Sequence, residues 1–504
     1  MEKVPLEELF QPLLLKRIEG EVEGPVTGLA YHSARVKPGN LFFCLPGRRY
    51  RGWEFAQEAL QRGAVALVME EEVPLEGGPV IRVPDVRLAL ALVAAIFYRH
   101  PSRRLRLIGV TGTNGKTSTT YFIESLFKAR GEVTGLVGTV GGRIGENSFP
   151  VEATTPEASD LQRLLYQMAR RGVKHALMEV SSHGLELKRV SGCQFSVAVL
   201  TNITGEHLDF HRDFDSYVKA KAKLFAALAG LPVEHGRPKV AVINADDPCY
   251  RRIAESCPGQ KITYGIYREA DLRATRIKYY PRRVSFHLEA LGEEVPIELP
   301  VPGLFNVYNA LAALAVGLVE GLSPVEMGRI LSRVKGAPGR FEFVDRGQDF
   351  EIVIDYAHTP DGLENVLKTG RRLSRGRLIT VFGCGGERDR SKRVLMGEAA
   401  GRYSDLALVT NDNPRGEDPE QIFREILPGL KSAEYLVLPD RREAIEKALR
   451  SAQPGDMVII AGKGHEEYQV LQDRVVPFSD RRVAGELVAK ILAERRKMGG
   501  VNRE

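Results

Sequence analysis

Residues 109–120 read GVTGTNGKTSTT, a glycine-rich turn between an apolar run and a helix-forming stretch. No other segment limits the fold as much. The run before it, LRLIGVTG (105–112), is apolar and β-branched without polar alternation, as a strand covered on both faces requires. Gly112 and Gly115 allow a tight turn that leaves backbone N–H groups free, and the following helix adds the positive end of its dipole. That combination cradles phosphate, with Thr113 and Asn114 inside the turn, Lys116 reaching the β- and γ-phosphates, and the Thr117 hydroxyl on a magnesium ion. The spacing departs from the usual phosphate loop: Val110 stands where the first glycine would fall, leaving the compact form G-T-N-G-K-T. The competing reading is a glycine turn that merely starts a helix. The strand–loop–helix context favours ATP.

The same grammar recurs along the chain. HALMEV (175–180), FSVAVLTN (195–202) and KVAVIN (239–244) are apolar runs followed by polar loops, and the series restarts with EIVIDYAH (351–358), RLITVFG (377–383), DLALVT (405–410) and DMVIIAG (456–462). Apolar strands alternating with helices predict parallel sheets covered on both faces. KGAPGRFE (335–342) separates the two series, since its glycines and proline break helix and strand alike. A smaller strand–helix–strand unit precedes residue 99. The expectation is an α/β chain of three domains: a small N-terminal α/β domain at 1–98, a central phosphate-loop domain with a mainly parallel sheet at 99–335, and a Rossmann-like domain at 336–504.

Composition narrows the function by exclusion. The 504 residues suffice for several cores, and the formal charge of +6 is spread without a basic block, which suits small anionic substrates and calls for no nucleic acid. The longest apolar stretch, LALALVAAIFY (88–98), is too short to span a bilayer and predicts a core helix, while the start, MEKVPLEELF, lacks the features of a signal peptide. The five cysteines, Cys44, Cys193, Cys249, Cys257 and Cys384, form no CxxC pair, as expected in a reducing compartment. A soluble cytoplasmic protein, monomeric by default, is expected. RRLSRGR (371–377) reads most simply as a solvated face.

Two further residues are candidates by position. Glu179 ends one apolar strand and His207 lies in the loop after another, where ligands gather in open α/β sheets. Each alone is more often a cap or a core residue. Lys221 is flanked by Lys219 and Lys223 at two-residue spacing, and the pattern by itself reads as a solvated helix face.

GTNGKT (111–117 with its preceding threonine), TTPE (154–157), EVSSHGL (179–185), TNITGEHLDFH (201–211), AKAKLF (220–225), FNVYNALAA (305–313), GRFE (339–342), DYAHTPD (355–361), GCGGERDRSKR (383–393), DNPR (412–415) and GKGHEEYQ (462–469) resemble, in that order, the Mur ligases. These are ATP-dependent amide-bond-forming enzymes of peptidoglycan synthesis, and the resemblance is strongest to the branch that adds the third residue of the stem peptide. It implies ATP contacts at Gly112, Thr113, Asn114, Gly115, Lys116, Thr117, Asn309, Arg340, Asp355, His358 and Lys392, and magnesium ligation by Thr117, Glu179, His207 and Lys221. It also implies that Lys221 carries a carbamate made with CO2, which turns an ammonium into an anionic oxygen ligand. Lys116, Lys221, His207 and Glu179 are then the catalytic group. UDP-MurNAc-L-Ala-D-Glu would be held by Ser33, Thr154, Thr155, Ser181 and Arg189, although Leu187 stands where some relatives have a glutamine and Ser33 reads almost as well as a turn serine.

The loop TNDNPRGEDP (410–419) bears on the incoming amino acid. Meso-diaminopimelate differs from L-lysine by a carboxylate on its distal carbon, and a planar guanidinium matches a carboxylate with two parallel bonds. Arg415 supplies one, Arg388 is expected to add a second, Pro414 stiffens the loop, and Asn413 is free to bond amine or carboxylate. Gly462 and Glu466 would hold the distal ammonium, and Asp412 suits either the pocket or a helix-capping turn. The implied reaction activates the D-Glu γ-carboxylate as an acyl phosphate, which the amine of diaminopimelate attacks. The alternatives are a lysine-adding or D-Ala-D-Ala-adding relative, a folylpolyglutamate synthase, a scaffold without catalysis, and a transport or motor ATPase.

Overall fold

A computed structural model describes residues 3–22, 24–47, 50–75, 77–205, 208–229 and 238–500. The eight apolar runs singled out in the two series all form strands, and they fall into two sheets. In the larger sheet, strands Gln260–Gly265, Val240–Asn244, Val197–Leu200, Arg106–Thr111, His175–Glu179 and Thr134–Gly138 run parallel in that spatial order. Arg106–Thr111, which feeds the glycine-rich turn, lies between His175–Glu179 and Val197–Leu200. The carboxyl ends of these three neighbours therefore open at one place, where chain order reverses across the sheet and ligands enter α/β folds.

This sheet goes further than a parallel reading provides. Leu272–Tyr280, Arg283–Ala290 and Glu293–Leu299 extend one edge, and Gly141–Ile144 with Asn147–Phe149 extend the other; apart from the parallel pairing of Leu272–Tyr280 on its inner neighbour, these additions pair antiparallel. Arg283–Ala290 alternates exposed or half-buried with buried residues, the signature of a sheet wet on one face. The helices Lys116–Lys128 and Leu304–Val319 pack together over the other face. Leu304–Val319 is buried nearly all round, and an apolar helix of that kind is stable only inside a core.

In the third sheet, Glu351–Asp355, Met457–Ala461, Leu378–Phe382, Leu406–Val409 and Glu434–Val437 run parallel, with Glu342–Phe343 antiparallel at the edge. Near the N-terminus, Gly28–Ala30, Asn40–Phe43, Ala64–Met69 and Val80–Arg82 form a small parallel sheet closed by antiparallel Arg17–Glu19. The core helix expected at 88–98 is Val86–Phe97, capped by the Asp85 carboxylate on the N–H of Leu88 at 2.8 Å. The arginines of RRLSRGR are exposed or half-buried, and two of them also make contacts: Arg377 pairs with buried Asp456 at 2.9 Å, and Arg372 lies over the Tyr279 ring at 4.3 Å.

Candidate functional site

The glycine-rich turn joins strand Arg106–Thr111 to helix Lys116–Lys128. Gly115 has φ of 85°, and a side chain there would drive a Cβ to 2.4 Å from Asn309 Oδ1, so only glycine fits. Lys116 Nζ donates to the carbonyl oxygens of Gly112 at 2.9 Å and Thr113 at 2.8 Å, lying along the inside of the loop. Asn309 comes from the buried helix Leu304–Val319 and accepts from Thr119 Oγ1 at 3.3 Å. The third sheet reaches the same loop from the opposite side: Asn114 donates to Asp361 at 2.7 Å, and Arg340 donates to Thr117 Oγ1 at 3.2 Å. Between the two walls runs a cleft of about 340 Å3 lined by Asn114, Gly115, Asn309, Arg340, Asp355 and His358 among others. Its far end is aromatic, with Tyr279, Phe305 and Tyr308.

Asp355 lines this cleft, and its carboxylate accepts the N–H groups of Phe341 and Ala357, both at 2.7 Å. Burial pushes its pKa up, while the Arg340 charge and those two N–H groups pull against the shift. Asp355 thus fixes the turn that carries Arg340; Phe341 in that turn has φ of 46°. Arg340 also stacks on the Tyr356 ring at 4.5 Å. His358 Nδ1 bonds the Tyr356 carbonyl at 2.8 Å, and the His358 carbonyl accepts from Lys392 Nζ at 2.9 Å.

Glu179 is buried at the end of its strand. Its carboxylate accepts from Thr117 Oγ1 at 3.0 Å, Thr139 Oγ1 at 2.9 Å and Thr139 N at 2.9 Å. A Cβ on Gly138 would strike it, so the backbone makes room for this carboxylate. Thr117 and Glu179 together offer hard oxygen donors at the mouth of the phosphate loop, a set that fits magnesium. Lys221 overturns the reading from its flanking lysines: it is buried, its Nζ donates to the Gly112 carbonyl at 2.8 Å and lies 4.5 Å from the centre of the Tyr217 ring, whereas Lys219 and Lys223 point outward. His207 lies outside the described residues. Among the described residues, no cluster of three or more His, Cys, Asp or Glu side chains is arranged to hold a metal by itself.

A second cavity, of about 360 Å3, is lined by Arg388, Lys392, Asp412, Asn413, Arg415, Gly462 and Glu466. Most of its wall is made by the loops that leave the carboxyl ends of four adjacent parallel strands of the third sheet, and His183 and Gly205 close it from the side of the larger sheet. Tyr356, His358 and Thr359 line both this cavity and the first, so one short segment divides them. Pro414 is buried, with its carbonyl against Gly386, where a side chain would collide. Arg415 Nη1 donates to the carbonyls of Gly386 at 2.8 Å and Asn413 at 3.3 Å, and Arg388 Nη1 to that of Glu387 at 3.2 Å.

Two of these lining side chains already have protein partners, and the nearby helix is capped by another residue. Asn413 is not a free amide: its Oδ1 accepts from Lys463 at 3.1 Å and Val470 N at 2.9 Å, and its Nδ2 donates to Glu466 at 3.0 Å. Glu466 carries a protein cation already, Lys463 at 2.9 Å. Helix capping in this stretch belongs to Asp418, which starts Pro419–Ile426 by accepting from Glu420 N, and not to Asp412. Sequence reasoning missed Lys463 altogether, and also Arg441, whose fully buried guanidinium pairs with Asp480 at 2.7 Å and bonds the carbonyls of Ala461 and Asn411. Lys463 lies just past strand Met457–Ala461 and Arg441 opens helix Arg441–Ser451, and only the fold shows which partner each one meets.

A third cleft, of about 480 Å3, lies beside the N-terminal sheet and includes Tyr31, Arg35, Glu157, Arg163 and Arg189. Of the residues assigned to the UDP-linked substrate, Arg189 alone lines it; it donates to Glu157 at 3.2 Å and to the Thr155 carbonyl at 3.0 Å. Thr154 bonds Thr139 at 3.1 Å, next to Glu179. Thr155 and Ser181 bond each other at 3.1 Å, and Ser181 caps helix Ser182–Glu186. Ser33 takes its turn reading: it is buried, opens the single 3-10 turn Ser33–Arg35, and its hydroxyl hydrogen-bonds Glu58.

Comparison with known proteins identifies the family. Three Mur ligase family models match in succession: the family's catalytic domain over residues 25–98, its middle domain over 110–317 and its glutamate ligase domain over 339–464. The chain is 45% identical over 487 residues, 96% of its own length and 99% of the relative's, to a protein of Syntrophomonas wolfei subsp. wolfei named UDP-N-acetylmuramoyl-L-alanyl-D-glutamate–2,6-diaminopimelate ligase. A protein of Geobacillus thermodenitrificans with the same name is 48% identical over 461 residues, 91% of this chain and 94% of that one. A solved structure of a ligase of that name superposes with a TM-score of 0.68 at 34% identity, covering 97% of this chain and 99% of its own.

Proposed function

The chain belongs to the Mur ligase family, and we propose that it joins meso-diaminopimelate to the D-Glu γ-carboxylate of UDP-MurNAc-L-Ala-D-Glu at the expense of ATP. The observation that carries this reading is the single shared wall, Tyr356 to Thr359, between a phosphate-loop cleft and a pocket holding two arginines. A carboxylate activated on one side of that wall lies next to an amine held on the other. Closely related chains carrying the name of that ligase support the same substrate.

The γ-carboxylate of the acceptor attacks the γ-phosphorus of ATP, the bond to the bridging oxygen breaks, and ADP leaves. The amine of diaminopimelate, having lost a proton, then attacks the acyl carbon, and phosphate leaves as the amide forms. The protein's part is placement and neutralisation. Lys116 and the loop N–H groups take the phosphates, with Gly112, Thr113, Asn114, Gly115, Asn309, Arg340, Asp355, His358 and Lys392 around the nucleotide. Thr117, Glu179, His207 and Lys221 as a carbamate would hold magnesium, which neutralises charge on the transferring phosphoryl group when bound. Carbamate formation needs only CO2: the Lys221 ammonium gives up a proton, the neutral nitrogen bonds the carbon of CO2, and a second proton leaves the nitrogen. Arg415 and Arg388 would face the distal carboxylate and Gly462 and Glu466 the distal ammonium, with Asp412 completing the pocket, and the cleft at Arg189 would take the UDP-linked peptide.

Domains at 1–98, 99–335 and 336–504 would carry the UDP-linked substrate, ATP and the amino acid, and their closure would shield the acyl phosphate from water. We place the enzyme in the cytoplasm as a monomer, where ATP is at hand; all five cysteines are free and buried, and no described helix is long and apolar enough to cross a membrane. Phosphate release with UDP-MurNAc-L-Ala-D-Glu, ATP and Mg2+ tests the reading, with meso-diaminopimelate or L-lysine offered in parallel. Turnover with diaminopimelate far faster than a measurable but slow turnover with lysine is expected. Equal turnover with lysine would remove the carboxylate clamp, and none with either would remove the ligase.

A further inference from the structure

The two arginines of the amino-acid pocket ride on separate loops. Arg388 follows strand Leu378–Phe382 and Arg415 follows strand Leu406–Val409. Both loops pass through left-handed backbone beside the arginines, at Glu387 with φ of 54° and at Arg415 with φ of 55°. Residues with side chains hold that conformation only where their surroundings fix it. The loops also touch directly, through Gly386 N on the Asn413 carbonyl at 2.9 Å and Arg415 on the Gly386 carbonyl at 2.8 Å.

One carboxylate ties the two loops to a third element. Glu417, two residues beyond Arg415, accepts the N–H of Glu387 at 3.0 Å, the residue next to Arg388. It takes the guanidinium fork of Arg393 at 2.9 and 2.8 Å and bonds Arg390 at 2.8 Å. Arg393 belongs to helix Lys392–Tyr403, its side chain is fully buried, and it also reaches Glu425 at 2.8 Å. Glu417 does not line the pocket. The side chain must be an anion here. A carboxylate has lone pairs for a backbone N–H and two guanidinium groups together, whereas an amide of the same shape would turn an NH2 toward a buried cation.

We infer that Glu417 is a positioning residue that sets the spacing of Arg388 and Arg415, and through it the preference for an amino acid with a second carboxylate. The inference rests on the function proposed above. A loosened pair of arginines would bind the distal carboxylate poorly but leave ATP and the UDP-linked acceptor untouched. Lysine, lacking that carboxylate, would lose nothing.

The test compares the full-length enzyme with Glu417→Gln and Glu417→Asp, reading phosphate release against diaminopimelate and against lysine, with thermal melting as the check on folding. The expected result for Glu417→Gln is a KM for diaminopimelate raised roughly tenfold or more, KM values for ATP and acceptor within about twofold, and a matching fall in the diaminopimelate-to-lysine ratio of kcat/KM. Glu417→Asp keeps the charge and should recover part of the loss. Should Glu417→Gln fail to fold, Glu417→Asp is judged on the same ratio, with a smaller fall expected. A folded variant with wild-type KM and ratio overturns the inference, as does a uniform drop for all substrates in step with melting temperature. Wild-type enzyme that ignores diaminopimelate overturns the proposed function and this inference together; wild-type enzyme that uses it beside an unaltered Glu417→Gln overturns the inference alone.

Discussion

The proposed nucleotide cleft and the proposed amino-acid pocket are nearly equal in volume, about 340 and 360 Å3, and are separated by one short segment, yet they are built by opposite means. The cleft is shaped by backbone. Its glycines clear space, its lysine rests on carbonyls three and four residues away, and the N–H groups of Thr113 and Asn114 are held by Asn202 at 2.8 and 3.0 Å. The pocket is shaped by charged side chains from three loops, and behind them stand buried cations: Lys463 on Glu466, Arg393 on Glu417 and Arg441 on Asp480. Phosphate is recognised by any ring of donors in a positive field, so local sequence suffices. Telling one amino acid from another needs charges in fixed places, and those charges need partners that only the fold can bring.

The largest break in this comparison comes from the cleft. Lys116→Met should lower phosphate release about a thousandfold or more with the melting temperature unchanged, because a single charge there faces the transferring phosphoryl group. A fall of less than tenfold would mean that the backbone does the work alone. Behind the pocket the effect moves from rate to stability. Arg441→Met leaves the Asp480 carboxylate buried without its cation, and urea unfolding should show a loss of about 3 kcal/mol; an unchanged midpoint would make that pair dispensable. In the pocket itself, Arg415→Ala should raise KM for diaminopimelate roughly thirtyfold, about 2 kcal/mol, while turnover with lysine stays level.

The smallest effect joins the two regions. His465, in the loop after strand Met457–Ala461, bonds the Thr139 carbonyl beside Glu179 at 3.1 Å. Burial, with Arg340 and Lys463 nearby, lowers its pKa to about 4. The folded protein therefore keeps it neutral where the unfolded chain protonates it near the usual value of about 6.5. Its contribution is whole above that value and drains away as pH falls toward about 4, amounting to about 1 kcal/mol by pH 5.5. Urea midpoints at pH 7 and 5.5 should differ by that amount in the wild type and by less in His465→Gln; parallel slopes would clear His465 of the role.

The same contrast explains what could be read from the chain. The strand–turn–helix at Arg106–Lys128 and the strands before Glu179, Asp355 and Asp412 declare themselves through apolar runs and glycine, signals that lie within ten residues of the feature they specify. The antiparallel additions at Leu272–Leu299 did not, because half-wet strands alternate polar with apolar and look like ordinary surface. Lys221 was misjudged from its neighbours because burial on one helix face is settled by what packs there, here Tyr217 and the Gly112 carbonyl. The partner of Asn413 is hidden for the same reason: Lys463 lies 50 residues away in the chain and within 3.1 Å in the fold.

The most direct measurement is a crystal structure of the enzyme with ADP and meso-diaminopimelate. The account predicts the amino acid in the cavity bounded by the loops of Arg388, Arg415 and Glu466, its distal carboxylate on the two guanidinium groups and its reacting amine toward Tyr356 and His358. Diaminopimelate bound elsewhere, or seated there with its distal carboxylate turned away from Arg415, would contradict it.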